Sequence, residues 1–195
     1  MHAVIFEVRP KDGRLDDYFG HARLLRPKLE GIDGFIENIR YRSLTRPGWL
    51  LSVSLWRDEA ALIAWRRHAL HHRAQEEARR ALFADYRLRV GVVAEADTAG
   101  VSLLTARREG AAGMTAEALA RDLGLDPASP GLVGWDVFEA VLTPGDVLLL
   151  RSGTGAGAGA AGEGTSHRLV RVIRDYGMTD RREAPQHFPD ETGRA

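Results

Sequence analysis

The alternation of apolar and polar residues at the start of the chain predicts a strand followed by a helix. Residues 3–8 are short, β-branched and aromatic, which is typical of a strand. Residues 14–29 place apolar side chains at the spacing of one helix face. Gly31 follows directly and ends the predicted helix.

The next segment predicts a hairpin, a second helix and a closing strand. The strand-like residues 34–42 and 49–56 flank a Pro-Gly pair, which is a turn signal. Asp58 suits the N-cap of a helix that continues to about residue 84. Residues 87–94 complete the unit as a strand. The order β-α-β-β-α-β is the ferredoxin-like arrangement.

The same hairpin occurs a second time in the chain. The segment that begins at Gly34 is matched by one at Gly131, 97 residues later (131 − 34), and the Pro-Gly pair at 47–48 falls on that at 144–145. A strand at 101–106 and a helix at 115–123 precede the second copy. The Gly/Ala-rich residues 153–165 stand where the first half has its long helix, and their composition predicts a flexible loop.

The repeat predicts an α+β fold of two ferredoxin-like (βαββαβ) units in tandem. The first unit covers residues 1–96. The second covers residues 97–180 and has lost most of its second helix. Residues 181–195 contain two prolines and few apolar side chains, so we expect an extended C-terminal arm.

Charge and cysteine content narrow the function by exclusion. Lys plus Arg and Asp plus Glu are 27 each, so no net charge favours nucleic acid or an anionic membrane as a partner. The absence of cysteine excludes disulfides, thiolate metal sites and a cysteine nucleophile. The apolar run at the start is too short for a signal peptide, so we expect a cytoplasmic protein.

Histidines cluster on the predicted second helix. His68 and His72 are four residues apart and share a face, while His71 projects nearby and Trp65 lies one turn earlier. The patch suits a small-molecule pocket in which a histidine acts as a base beside an aromatic wall. A bound metal is disfavoured because the HExxH glutamate is missing. The remaining alternative is a solvated helix face, since arginines and glutamates crowd the same helix.

Two further positions are candidates for substrate contact. Asn38 lies in the middle of a strand pattern, where Asn is rare; it either offers a hydrogen-bond donor to a cavity or faces water at an edge. Arg87 and Arg89 alternate with apolar residues and share one sheet face, which favours surface salt bridges, with Arg87 kept as a candidate contact. The charged residues 171–183 could cover one end of a cavity.

Residues 54–90, SLWRDEAALIAWRRHALHHRAQEEARRALFADYRLRV, resemble the antibiotic biosynthesis monooxygenase family of dimeric α+β barrel proteins. The shared features are a Trp-Arg-Asp at a strand end, Trp65 on the helix, a His/Gln-rich stretch and the FADYR closing strand. The resemblance implies ferredoxin-like units whose sheets pair into a barrel, with a pocket between sheet and helices. A tandem chain would then be a monomeric pseudo-dimer, or associate further as a homodimer.

The resemblance also implies two activities. Some members oxidise phenolic polyketides to quinones with neither metal nor flavin, and others bind and degrade heme. The quinone-forming members carry an Asn where this chain has Ala61, and the heme-degrading members carry a His where it has Gln75. Trp65 fits both patterns.

From these observations we expect a monooxygenase acting on a small aromatic substrate. His68 or His72 is the candidate base, and Trp65, Asn38, His71 and Arg87 are candidate substrate contacts. We expect no cofactor, with heme as the alternative. The competing hypotheses are a heme or small-hydrophobe carrier without turnover, and a non-catalytic barrel that lacks any pocket of roughly 300 Å³.

Overall fold

The computed structural model describes residues 1–94, 99–154 and 161–185, which form eight strands and four α-helices. The strands are β1 (His2–Pro10), β2 (Phe35–Ser43), β3 (Leu50–Trp56), β4 (Phe83–Ala94), β5 (Gly100–Arg107), β6 (Leu132–Ala140), β7 (Asp146–Gly153) and β8 (Ser166–Gly177). The helices are α1 (Leu15–Glu30), α2 (Glu59–Arg67), α3 (Ala69–Glu77) and α4 (Ala116–Asp122). A π-helical turn follows α3 at Ala78–Leu82, and a 3₁₀ turn lies at Ala111–Gly113.

The eight strands form one closed antiparallel barrel in the order β1-β3-β2-β6-β7-β5-β8-β4. Strands β1–β4 run β4-β1-β3-β2 and strands β5–β8 run β8-β5-β7-β6, so each half repeats the ferredoxin-like order. The halves join at the β2–β6 and β4–β8 pairs. The predicted α+β tandem pseudo-dimer is therefore confirmed. The predicted boundary at 96/97 lies outside the described residues and stays a prediction.

Alternate side chains of each strand fill the barrel or face the helices. The inward residues form one apolar cluster that draws on both halves, including Ile5, Leu51, Val53, Leu103, Phe138, Leu148 and Val170. Helices α1 to α3 cover the outer face of the first half. This arrangement leaves a space between that face and the helices.

Ionic side chains lie inside the barrel, and one of them is an arginine that the sequence pattern placed on the surface. Arg89, predicted as a surface residue, is only 2% exposed and donates to Glu7 from the neighbouring strand. Arg46 bridges Glu7 at 2.5 Å and Asp136 of the second half at 2.6 Å. Strand alternation predicts which residues share a face but not whether that face meets water or a barrel interior. The surface prediction for Arg89 was wrong for that reason.

The predicted long second helix is broken. His68 has φ −64° and ψ 120°, which is extended, so α2 ends before it and α3 begins after it. Asp58 caps α2 as expected, its carboxylate accepting from the Ala61 amide at 2.9 Å. The break changes the direction of the chain between Trp65 and the last two histidines of the cluster.

The outer face of the second half is covered by α4. Leu119 and Leu123 are fully buried there against Leu104, Val137 and Leu149. Between β7 and β8 the described residues 154 and 161–165 contain no helix, while the rest of the predicted loop 153–165 and the arm from 186 onward lie outside the described residues. No helix in the described part of the chain is long and apolar enough to cross a membrane.

Candidate functional site

A cavity of about 260 Å³ lies between the outer face of the first sheet and helices α1 to α3. This volume is slightly below the roughly 300 Å³ at which drug-sized pockets begin. The cavity therefore suits a compact ligand, and by volume alone the non-catalytic barrel stays a competing hypothesis.

The floor of the cavity consists of short rows of side chains that run across the strands. One row joins Asn38, Ser54, Val4, Val90 and Arg174 through the strand pairs. Its centre is apolar and its two ends are polar.

A second, parallel row lies two residues further along each strand. It joins Arg40, Ser52, Phe6, Leu88 and Tyr176. Both rows line the cavity, so a ligand would rest on an apolar floor between two polar edges.

Asn38 lines the cavity but offers the opposite group from the one predicted. Its Nδ2 donates to the Ser52 hydroxyl at 2.8 Å and to the Val53 carbonyl at 3.1 Å. Because a carbonyl can only accept, these bonds fix the orientation of the amide. The Oδ1 atom is buried and has no hydrogen-bond partner in the described part of the chain, so the unpaired group of this cavity-lining residue is an acceptor.

Trp65 and His71 form one wall. Their rings stack with centroids 4.2 Å apart and an interplanar angle of 17°. The Nδ1 of His71 lies 3.1 Å from the Trp65 carbonyl oxygen, which requires the proton on Nδ1 and leaves Nε2 as an acceptor. Burial lowers the pKa of His71 to about 4, opposed by the bond to the Trp65 carbonyl. The ring is therefore neutral at pH 7.

His72 also lines the cavity, whereas His68 does not. The Nε2 of His72 lies 3.7 Å from the Glu76 carboxylate, one helical turn on, and 16% of its side chain is exposed. Because only His72 lines the cavity, it is the better placed of the two predicted bases. The ring of His68 also lies near Trp65, with centroids 5.7 Å apart, but His68 does not line the cavity.

Arg87 lies away from the cavity. Its guanidinium donates to Asp175 of β8 at 2.9 Å, and half of the side chain is exposed. Arg87 is not among the cavity-lining residues. The structure thus brings together Trp65, Asn38, His71 and His72 and leaves His68 and Arg87 outside.

Several lining residues were not identified from the sequence. Arg40 follows Asn38 by two positions, so the assignment of Asn38 to the cavity could have found it. Tyr18 on α1 is buried against Arg40; burial raises the pKa of the phenol and the Arg40 charge opposes this. His21 and Arg66 also line the cavity. Nothing in the pattern separates them from other polar positions of an amphipathic helix.

The second half contributes one side of the cavity. Arg174, Tyr176, Arg181 and Pro185 line it, as the charge pattern of 171–183 suggested. Arg181 donates to the Tyr86 hydroxyl and lies over the Tyr176 ring at 5.9 Å. The cavity is therefore completed only when both halves are in place.

The residues present do not fit a heme. A porphyrin is larger than the drug-sized ligands that need 300 Å³ or more, and the cavity measures about 260 Å³. Gln75, at the position of the heme-ligating His in the resemblance, lines the wall and is no strong iron ligand. In the described part of the chain no three His, Cys, Asp or Glu side chains group as a metal site.

The fold and the cavity define a class: a two-unit ferredoxin-like α+β barrel with a cavity under the helices of its first unit. The model of the antibiotic biosynthesis monooxygenase family matches residues 1–77. Jasmonate monooxygenase ABM of Pyricularia oryzae is 46% identical over 212 residues, which cover 97% of this chain and 99% of the relative. The chain belongs to the antibiotic biosynthesis monooxygenase family.

Solved structures give weaker matches. The match to a protein of Lactobacillus acidophilus NCFM covers 88% of this chain and 93% of that protein. The sequence identity is 9% and the TM-score is 0.45. Rv0793 of Mycobacterium tuberculosis matches 49% of this chain with 96% of its own, at 17% identity and a TM-score of 0.44.

Proposed function

We propose that the chain is a monooxygenase that binds a compact, mainly apolar substrate in this cavity and oxidises it with molecular oxygen. The observation that carries the proposal is the arrangement of His72, the Trp65–His71 wall and the Asn38 acceptor around one apolar floor. Membership of the family supports the reaction class.

In this proposal His72 removes a proton from an acidic O–H or C–H group of the substrate. The Glu76 carboxylate, 3.7 Å from the Nε2 of His72, is the counter-charge beside the imidazolium that forms. Asn38 Oδ1 accepts a hydrogen bond from the substrate and orients it, while the stacked rings exclude water. His71 is the poorer base, because the burial that lowers its pKa disfavours its protonated form.

The deprotonated substrate is electron-rich enough to reduce oxygen. Overall, a CH₂ group and O₂ give a C=O group and water, so the substrate supplies all four electrons. One oxygen atom enters the product and the other leaves as water. The scheme needs no external reductant.

The test compares His72→Gln with His68→Gln in assays of oxygen uptake. Jasmonate, named for the relative, and hydroquinone-type compounds are the first substrates to examine. We expect His72→Gln to lower kcat about 100-fold or more with little change in KM, because it removes a general base. His68→Gln should stay near wild type. Equal losses in both variants, or a loss only in His68→Gln, would contradict the assignment.

A hemin titration tests the alternative of a heme-binding protein. We expect no saturable Soret band in the wild type, because the cavity is small and Gln75 replaces the ligand. A specific band that disappears in His68→Ala, His71→Ala or His72→Ala would make that histidine an axial ligand and would reject the proposal.

A further inference from the structure

The charged side chains that line the cavity are all cationic or histidines. Among the described lining residues there is no Asp or Glu, whereas six are arginines: Arg26, Arg40, Arg66, Arg79, Arg174 and Arg181. The whole chain has equal numbers of acidic and basic residues, so composition does not explain this excess. A low-dielectric cavity lined by one sign of charge concentrates ligands of the opposite sign.

Three of the arginines already have polar partners. Arg26 pairs with Glu30 at 2.7 Å on the surface of α1. Arg40 contacts the Tyr18 phenol, and Arg181 donates to the Tyr86 hydroxyl. These contacts engage part of each guanidinium, and the buried Nε of Arg40 has no hydrogen-bond partner in the described part of the chain.

Arg66 and Arg174 are arranged differently. They approach the cavity from α2 and β8, and their charges repel: the pKa of Arg66 is lowered, first by burial and then by Arg174. The Nε of Arg66 is buried and has no hydrogen-bond partner in the described part of the chain. Glu59 lies 3.8 Å from Arg174, at the outer limit of an ion pair, and its charge partly offsets the lowering of the Arg66 pKa.

We propose that Arg66 and Arg174 form a subsite for a carboxylate group of the substrate. The proposal rests on the proposed function only in taking this cavity as the substrate site. A guanidinium offers paired donors that match a carboxylate, and an anion between the two arginines would relieve their repulsion. The substrate is then a compact apolar acid.

The sheet register sets the direction in which such an acid lies. Arg174 is opposite Val90, and the row continues through Val4 and Ser54 to Asn38. Four strand spacings separate the ends of the row, about 19 Å between backbones. An acid anchored at Arg174 extends over the apolar centre of the row and points its other end towards Asn38 Oδ1.

The experiment measures binding of jasmonic acid and methyl jasmonate to the full chain by titration calorimetry. The two probes share one apolar body and differ in the free carboxylate. We expect the acid to bind about tenfold or more tightly than the ester. Arg66→Gln or Arg174→Gln should each weaken the acid about tenfold or more, the range for a lost charge-assisted hydrogen bond, and leave the ester unchanged.

Two matched controls come from the same elements. Arg67 and Arg171 neighbour the two arginines in sequence, are exposed and do not line the cavity. Arg67→Gln and Arg171→Gln should bind both probes as the wild type does. If circular dichroism shows that Arg66→Gln does not fold, Arg66→Lys replaces it. This variant should lose less affinity for the acid than expected for Arg66→Gln and keep its affinity for the ester.

Three results would overturn the subsite: equal affinity for acid and ester, no binding of the acid, or a loss in the control variants as large as in Arg66→Gln. The readout separates this inference from the monooxygenase proposal. Selective acid binding without oxygen uptake on any substrate leaves the subsite standing and rejects the reaction. Oxygen uptake at equal rates with acid and ester supports the monooxygenase reaction and rejects the carboxylate subsite.

Discussion

His71 illustrates how much a single residue depends on its surroundings. From the sequence it is a candidate substrate contact beside the two candidate bases, His68 and His72. In the structure it stacks on Trp65, and its Nδ1 is committed to a carbonyl. Asn38 shows the same limit: the sequence left open whether its amide faces a cavity or water, and only the bonds to β3 determine that its oxygen is the unpaired group. Residue type predicts that a group can take part in chemistry, whereas its partners decide which atom is offered.

The pKa of His71 makes stability depend on pH. Between its ordinary value of 6.5 and about 4, the unfolded chain binds a proton that the folded chain does not. Stability from this group is therefore intact above pH 6.5 and is lost as pH falls towards 4. The loss of unfolding free energy does not exceed about 3.5 kcal/mol. Urea unfolding should show that the free energy of unfolding falls less between pH 7 and pH 4.5 in His71→Gln than in the wild type. Parallel pH profiles would show that the ring is not buried as described.

The elements of the fold were largely predictable because turn and cap signals mark their ends. The repeated Pro-Gly hairpin located four of the eight strands. Two local departures from regular helix and strand geometry were not predictable from the sequence. One is the extended residue His68, and the other is an extra residue in β8 at Ile173, where Val90 pairs with Arg174 but Gly91 pairs with Val172. This bulge turns the chain so that Val172 packs into the barrel while Arg174 and Tyr176 face the cavity.

Gly91 allows β8 to approach at the bulge. A Cβ added there would lie 2.5 Å from both the Arg171 carbonyl oxygen and a Val170 methyl carbon. We expect Gly91→Ala to lower the free energy of unfolding by about 1–3 kcal/mol or more, because the backbone must shift. Gly134→Ala in β6 is the control, since no atom lies within 4 Å of its added Cβ. A thermal denaturation that shows equal midpoints for the two variants would contradict this account of the bulge.

At the scale of the molecule, ionic contacts tie the two halves together inside the barrel. Glu7 of the first half accepts from Arg89 and Arg46, and Arg46 reaches Asp136 of the second half. Ser152 of β7 also accepts from Arg89 at 2.9 Å. The tandem arrangement was predictable from the internal repeat, but this network was not. Its members lie on four strands and on the turn between β2 and β3, and no local pattern links them.

Removing the central carboxylate should strongly destabilise the barrel. Glu7→Gln leaves Arg89 buried without its counter-charge, and we expect a loss of about 3–5 kcal/mol in denaturant unfolding. Asp175→Asn removes a carboxylate from the outer pair with Arg87, and should cost about 1 kcal/mol or less. Similar losses in the two variants would mean that the buried network contributes no more than a surface pair.

The covering of the second sheet by Leu119 and Leu123 has an evolutionary consequence. In a symmetric dimer every substitution appears twice, so a change that improves one site alters its twin as well. Here the halves are encoded separately, so a substitution in one half leaves the other unchanged. Helix α4 packs on the outer sheet face of the second half, which contributes Arg174 and Tyr176 to the cavity of the first. The outer faces of the two half-sheets can therefore change independently, which those of two identical subunits cannot do.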